Sequence, residues 1–184
     1  SQAWQHYQDT ILHDVNFLNP MVANLLPMSD SDLLLQKFNS GRARFWGVVP
    51  KKGMTTTFKK MNVGDIVLFT RKKRVVSRAV VAHIFDNEEL AEHLWGRNKS
   101  GETWSHMFAV DCPVNLDITY EQLNKAVGFA LNFNHQRFNV LKEIQSKIFI
   151  EEFIDDRGSI GEVVSKKEFI QIIDGDLDVD TVVK

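Results

Sequence analysis

The chain has one cysteine, Cys112, only four prolines, and no apolar run near the roughly 20 residues that span a bilayer. A single thiol forbids an internal disulfide and any multi-cysteine zinc site, and it makes the cytoplasm the default compartment. No membrane association is expected. The N-terminus lacks the charged-then-apolar order of a signal peptide. The chain begins on Ser1 rather than Met and ends on Lys184 without a cap, as expected of a piece of a longer protein.

Catalytic motifs are equally scarce. Neither G-x-x-x-x-G-K-[ST] nor G-x-G-x-x-G occurs, so no phosphate-binding loop is encoded. His6, His13, His83, His93, His106 and His135 fall at no metal-ligand spacing within a helix, and the H-E-x-x-H order is missing around Glu92-His93. Glu162 and Lys166 are spaced as on any helix face. The expectation is a non-catalytic domain with no metal and no cofactor.

Acid is the other shortage, and it is local. Net charge is −2, yet between Arg42 and Arg78 the only acid is Asp65. Eleven bases lie there: Arg42, Arg44, Lys51, Lys52, Lys59, Lys60, Arg71, Lys72, Lys73, Arg74 and Arg78. That segment carries +10; the 11 bases and 23 acids elsewhere give −12. Charges further apart than a Debye length of about 8 Å are screened, so a local excess outweighs the average. The plainer interpretation is a solvated face with hairpin-edge lysines that deter aggregation.

What is abundant is apolar and aromatic: 43% hydrophobic residues, with 13 Phe and 4 Trp, enough for a real core. Residues 1–40 have helical spacing, broken at Asn19-Pro20 and restarted by Ser29-Asp30-Ser31-Asp32 as an N-cap. Residues 42–85 predict a strand through Phe45-Trp46-Gly47, a short helical turn at 55–61, and a hairpin from Ile66 to Phe85 with Arg71–Arg74 at its tip. Asn87 caps a short helix, a strand follows from Trp104, and Thr119 with Gln122 forms a capping box for a helix stopped by Gly128. A helix is expected over 142–154 and another over 164–173; 174–180 is acidic. The order implies an α+β fold with a small curved, mostly antiparallel sheet or partial barrel. Its expected parts are an N-terminal helical extension (1–40), a core (41–154) and a C-terminal helical segment with an acidic tail (155–184).

Bases near rings suit binding to nucleic acid: lysines track phosphates and rings stack on bases. Tryptophans at strand and helix ends, here Trp46, Trp95 and Trp104, either fill the core or line a pocket.

Several strings sharpen this. Phe45-Trp46-Gly47, Val63-Gly64-Asp65-Ile66-Val67-Leu68-Phe69 and the strand 75–85 resemble the PUA-like superfamily, in its EVE and YTH-like branch. Leu94-Trp95-Gly96, Gly101-Glu102-Thr103-Trp104 and the run Ile118 to Gly128 resemble N-terminal specificity domains carried by McrB-type restriction GTPases. The similarity covers about residues 42–150. It departs where such domains have Gln-Gly-Phe, since this chain has Gln136-Arg137-Phe138.

The resemblance implies a PUA-like curved sheet flanked by helices. It also implies recognition of a modified, methylated base flipped from double-stranded DNA into an aromatic cage, beside an effector domain or subunit of a restriction complex. On that basis the base pocket is expected at Trp46 and Trp104, with Phe69 and Trp95 behind them and Ser77 and Asn132 on the base edge. Phosphates are expected at Arg44, Lys51, Lys52, Lys59, Lys60, Arg71, Lys72, Lys73, Arg74, Arg78 and Arg137. An RNA-binding domain of the same superfamily and a protein-assembly domain are the alternatives.

Overall fold

The structure is a computed structural model and describes residues 1–135, 138–154 and 170–174. The chain order is α1 (Gln2–Tyr7), extended by a π-helical turn (Gln8–Leu12), then β1 (Val15–Asn16), α2 (Pro20–Ala23), α3 (Met28–Lys37), β2 (Arg42–Val48) and α4 (Lys52–Phe58). The hairpin β3 (Ile66–Arg71) and β4 (Arg74–Asp86) follows, then α5 (Glu88–Trp95), β5 (His106–Val110), β6 (Val114–Thr119) and α6 (Tyr120–Val127). The described chain closes with β7 (Phe138–Val140), α7 (Glu143–Phe153) and β8 (Ile170–Asp174).

The eight described strands make one mixed sheet in the order β1-β2-β5-β4-β3-β8-β7, with β6 paired to β4 off that path. All pairings are antiparallel except β3 with β8. Strand β4 is long because it serves two partners: Arg74–Arg78 pair with β6 and Val81–Asp86 with β5. Its register shifts near Val75/Ser77 and Val81/His83, and bulges of this kind bend a strand and raise its twist. The sheet curves as a result, in line with the α+β expectation.

Three apolar clusters fill it. One face holds Trp46, Val67, Phe69, Ala79, Val81, Phe108 and Val110, closed by Tyr7 and Ile11 from the first helical segment and by Phe58 and Met61. On the other face, Phe45, Phe85 and Met107 pack under α2, α3 and α5, and Leu68, Val75 and Ile172 pack under α6 and α7. Residues 1–40 therefore supply part of the core. Among the described residues no helix is long and apolar enough to cross a membrane.

Signals confined to a few residues form as their chemistry dictates. Asn87 accepts from the Leu90 amide, Thr119 and Gln122 form the capping box, and Gly128 ends α6 at φ 77°. Two expectations are corrected. Helix α3 begins at Met28, with Pro27 at the N-cap position and no side-chain cap, not behind the Ser-Asp run, which lies within its first turns. Of the helix expected over 164–173, the described residues 170–173 belong instead to strand β8, where Ile172 and Ile173 point into different clusters as a strand requires. Residues 155–169 and 175–184, and with them Glu162, Lys166 and most of the expected C-terminal segment, lie outside the described residues.

Candidate nucleic-acid interface

The rings expected to form a cage do meet. Trp46 sits on β2, Phe69 on β3, Trp95 at the end of α5 and Trp104 just ahead of β5. The Trp46 and Phe69 rings lie 5.4 Å apart. Gly47 lets them close in: a Cβ there would stand 2.2 Å from the Trp104 carbonyl oxygen and 2.7 Å from the Trp95 ring.

Helix α1 occupies the space between them. The His6 imidazole stacks on Trp95 (5.5 Å, 26°) and meets Trp104 edge-on (4.3 Å, 88°). Burial lowers the His6 pKa to about 4, so it enters the cluster uncharged. Tyr7 packs on Phe69 at 5.2 Å, and its hydroxyl lies 2.7 Å from that of Ser77. The Trp95 indole N–H donates to the Thr10 hydroxyl, which donates in turn to the Phe45 carbonyl. Trp46, Trp104, Phe69 and Ser77 are accordingly buried, Trp104 at 5% exposure and Ser77 at 0%. Nothing in the sequence of α1 announced that His6 and Tyr7 would fill this cluster, because the contact spans 70 residues.

Within the +10 segment, Lys59 and Lys60 lie between α4 and β3, Arg71 ends β3, and Lys72, Lys73 and Arg74 turn into β4. Several cations are also occupied. Arg44 donates to the Ile11 carbonyl at 2.9 Å, Lys51 pairs with Glu102 at 3.0 Å, and Arg74 pairs with Asp117 at 2.5 Å. Arg78 lies near Asp111. The Arg71 guanidinium stacks 4.0 Å over Trp4. Lys52, Lys59 and Lys60 are exposed on and just after α4. Arg137 lies outside the described residues.

The hairpin tip is the unusual part. Lys72 (φ 48°) and Lys73 (φ 57°) both take left-handed backbone, among the described residues the only non-glycines that do. Two-residue hairpins favour Asn-Gly or Gly at such positions, and each L-residue there costs about 1–2 kcal/mol. The Lys73 carbonyl accepts the Tyr120 amide at 2.9 Å, which ties the tip to the start of α6.

Beside the tip lies an open cavity of about 260 Å³, lined among others by Lys73, Tyr120, Glu121, Leu131, Asn132 and Phe133. That is just below the roughly 300 Å³ at which pockets for larger ligands begin. So Asn132, named from the sequence, lines this cavity with Lys73 rather than the tryptophan cluster. Its loop is held from beneath. The buried Asn124 amide donates to the carbonyls of Leu131 (3.2 Å) and Phe133 (2.8 Å) and accepts from His135 Nε2 (2.7 Å). Since the Asn124 nitrogen is spent as a donor, Nε2 of His135 carries its proton; burial holds this ring neutral, its pKa lowered to about 4. The Tyr120 hydroxyl donates to the Thr70 hydroxyl at 2.7 Å and lies 3.2 Å from the His135 carbonyl. Glu121, Leu131 and Phe133 escaped sequence reasoning, since only the fold brings them to the tip. Among the described residues no group of three or more His, Cys, Asp or Glu could hold a metal.

No protein-family model matches the chain, and no curated protein does. Among solved structures it is similar to the N-terminal domain of Thermococcus gammatolerans McrB bound to m5C DNA. The TM-score is 0.56 at 15% identity, over 82% of this chain and 90% of that one. The two share a fold.

Proposed function

We propose that this chain is a DNA-reading module that recognises a methylated base turned out of the duplex, and that it serves the specificity function of a modification-dependent restriction protein. The observation that carries this is the hairpin tip. Two lysines are kept in a costly backbone conformation beside an open, partly aromatic cavity. Strain of this kind persists where surrounding structure enforces it, and it clusters at binding sites. The shared fold with a domain solved on m5C DNA supports a DNA partner; in this reading Lys72 and Lys73 contact phosphates while the base is read nearby. Extrusion costs a few kcal/mol, which ring stacking and phosphate contacts offset. An effector domain or subunit would supply any cleavage; this module binds only.

The Trp46, Trp104, Trp95 and Phe69 cluster could receive a base only if α1 withdrew, since His6 and Tyr7 fill it. The proposal therefore rests on the tip and the fold, not on that cage.

Fluorescence polarisation against a methylated duplex across a salt series tests it. The expected log–log slope is about −3, for three to four neutralised phosphates. A matched RNA should compete poorly. Binding that ignores salt, or an RNA preference, would contradict the proposal.

A further inference from the structure

We infer that the cavity between the hairpin tip and the loop 129–135 is the receptor for the extruded base, and that it takes a methylated base bearing an exocyclic amine. This rests on the DNA-reading proposal and adds a site to it. The cavity is open while the tryptophan cluster is closed. Its chemistry is divided as a base requires. Lys73 stands at the rim, where the phosphate of an extruded nucleotide would lie. Glu121, an acceptor-only carboxylate, suits an exocyclic amine, as acidic side chains suit the cytosine N4 amine in duplex readout. The Asn132 side chain offers both a donor and an acceptor for the remaining edge. Leu131 and Phe133 are 57% and 43% exposed, large apolar groups left uncovered next to a polar rim. They suit a methyl group and a stacking face.

The loop is also built to hold its shape. Asn124, fully buried, fixes two of its carbonyls, and Phe129 stacks on Phe133 at 4.8 Å. Tyr120 connects the same loop to β3 through Thr70, and its amide connects α6 to the tip through Lys73. Tip, helix start and loop therefore form one preorganised unit, which lowers the ordering cost of binding.

The test compares the affinities of unmodified, 5-methylcytosine and N6-methyladenine duplexes for wild type, Asn132→Ala, Phe133→Ala, Glu121→Gln and Trp104→Ala. All four variants are first checked for wild-type circular dichroism and melting. Wild type should prefer one methylated duplex, roughly 5- to 150-fold for a good base-edge contact. Asn132→Ala and Phe133→Ala should reduce that preference below about twofold, with the greater loss of affinity on the methylated duplex. Glu121→Gln should also lose preference yet bind unmodified DNA more tightly, because a negative charge near phosphate is gone; a purely structural role would not produce that pairing. If wild type binds no DNA, the underlying proposal fails. If wild type discriminates and the three pocket variants still discriminate, this site is wrong while the proposal stands. Loss of preference in Trp104→Ala alone would also overturn it, placing the base in the tryptophan cluster with α1 displaced.

Discussion

Lys72 and Lys73 illustrate a choice made against stability. A tight hairpin would be better served by Asn-Gly, which takes left-handed backbone at little cost. Replacing the pair by Asn-Gly should stabilise the protein by about 2 kcal/mol, after allowing for glycine's entropy. The same change should flatten the salt dependence of DNA binding by about 2, the loss of two phosphate contacts. Urea unfolding and a salt titration on one variant would check both signs. A more stable variant that binds DNA unchanged would remove the tip from the interface.

His6 and His135 fix the pH response. Both are buried and neutral, with pKa lowered to about 4 chiefly by burial. Between about pH 6.5 and 4 the unfolded chain takes up protons that the native imidazoles refuse, so stability is full above 6.5 and falls as pH drops toward 4. Each histidine contributes on the order of 3 kcal/mol to that loss. The urea midpoint should be level from pH 7 to 8 and decline steadily below 6.5. His135→Gln should show a shallower decline; equal slopes would mean that His135 does not titrate as described.

At the scale of the element, strand β2 and its partners depend on Gly47. Gly47→Ala places a methyl group against the Trp104 backbone and the Trp95 ring and should cost about 3 kcal/mol in denaturant unfolding. Thr119→Ala removes half of the α6 capping box and should cost about 1 kcal/mol. Because α6 starts where it meets the Lys73 carbonyl, that variant should also weaken DNA binding.

Elements were legible where their signal lies within a few residues: the hairpin and its charged tip, the Asn87 and Thr119 caps, the Gly128 stop. The parallel pairing of β8 with β3 was not, since nothing near Ile170 specifies a partner about 100 residues away. The site was half legible for the same reason. The resemblance named the aromatic residues that cluster, and Lys73 and Asn132, which line one cavity. It gave no sign that α1 would fill the cluster, because His6 and Tyr7 look like any residues on an amphipathic helix. Nor did it show that Arg44, Lys51 and Arg74 would be engaged by the Ile11 carbonyl, Glu102 and Asp117.

At the scale of the molecule, the curved sheet positions two assemblies that differ in state. One is an aromatic core sealed by α1, with Arg71 stacked on Trp4 at its edge. The other is a strained cationic tip joined through α6 to a braced loop and an open cavity. The first explains stability and the second is the seat of the proposed binding. The whole chain carries a net charge of only −2, so the proposed recognition depends on this local arrangement rather than on a global field.

The central claim is that the module distinguishes DNA by a methyl group. Direct competition between an unmodified duplex and one that differs from it in a single methylated base, 5-methylcytosine or N6-methyladenine in turn, at physiological salt, tests it with the backbone contribution held constant. The account predicts that one methylated duplex wins by at least about fivefold, the lower end of a single base contact. Equal competition by both methylated duplexes, or preference for the unmodified one, would contradict it.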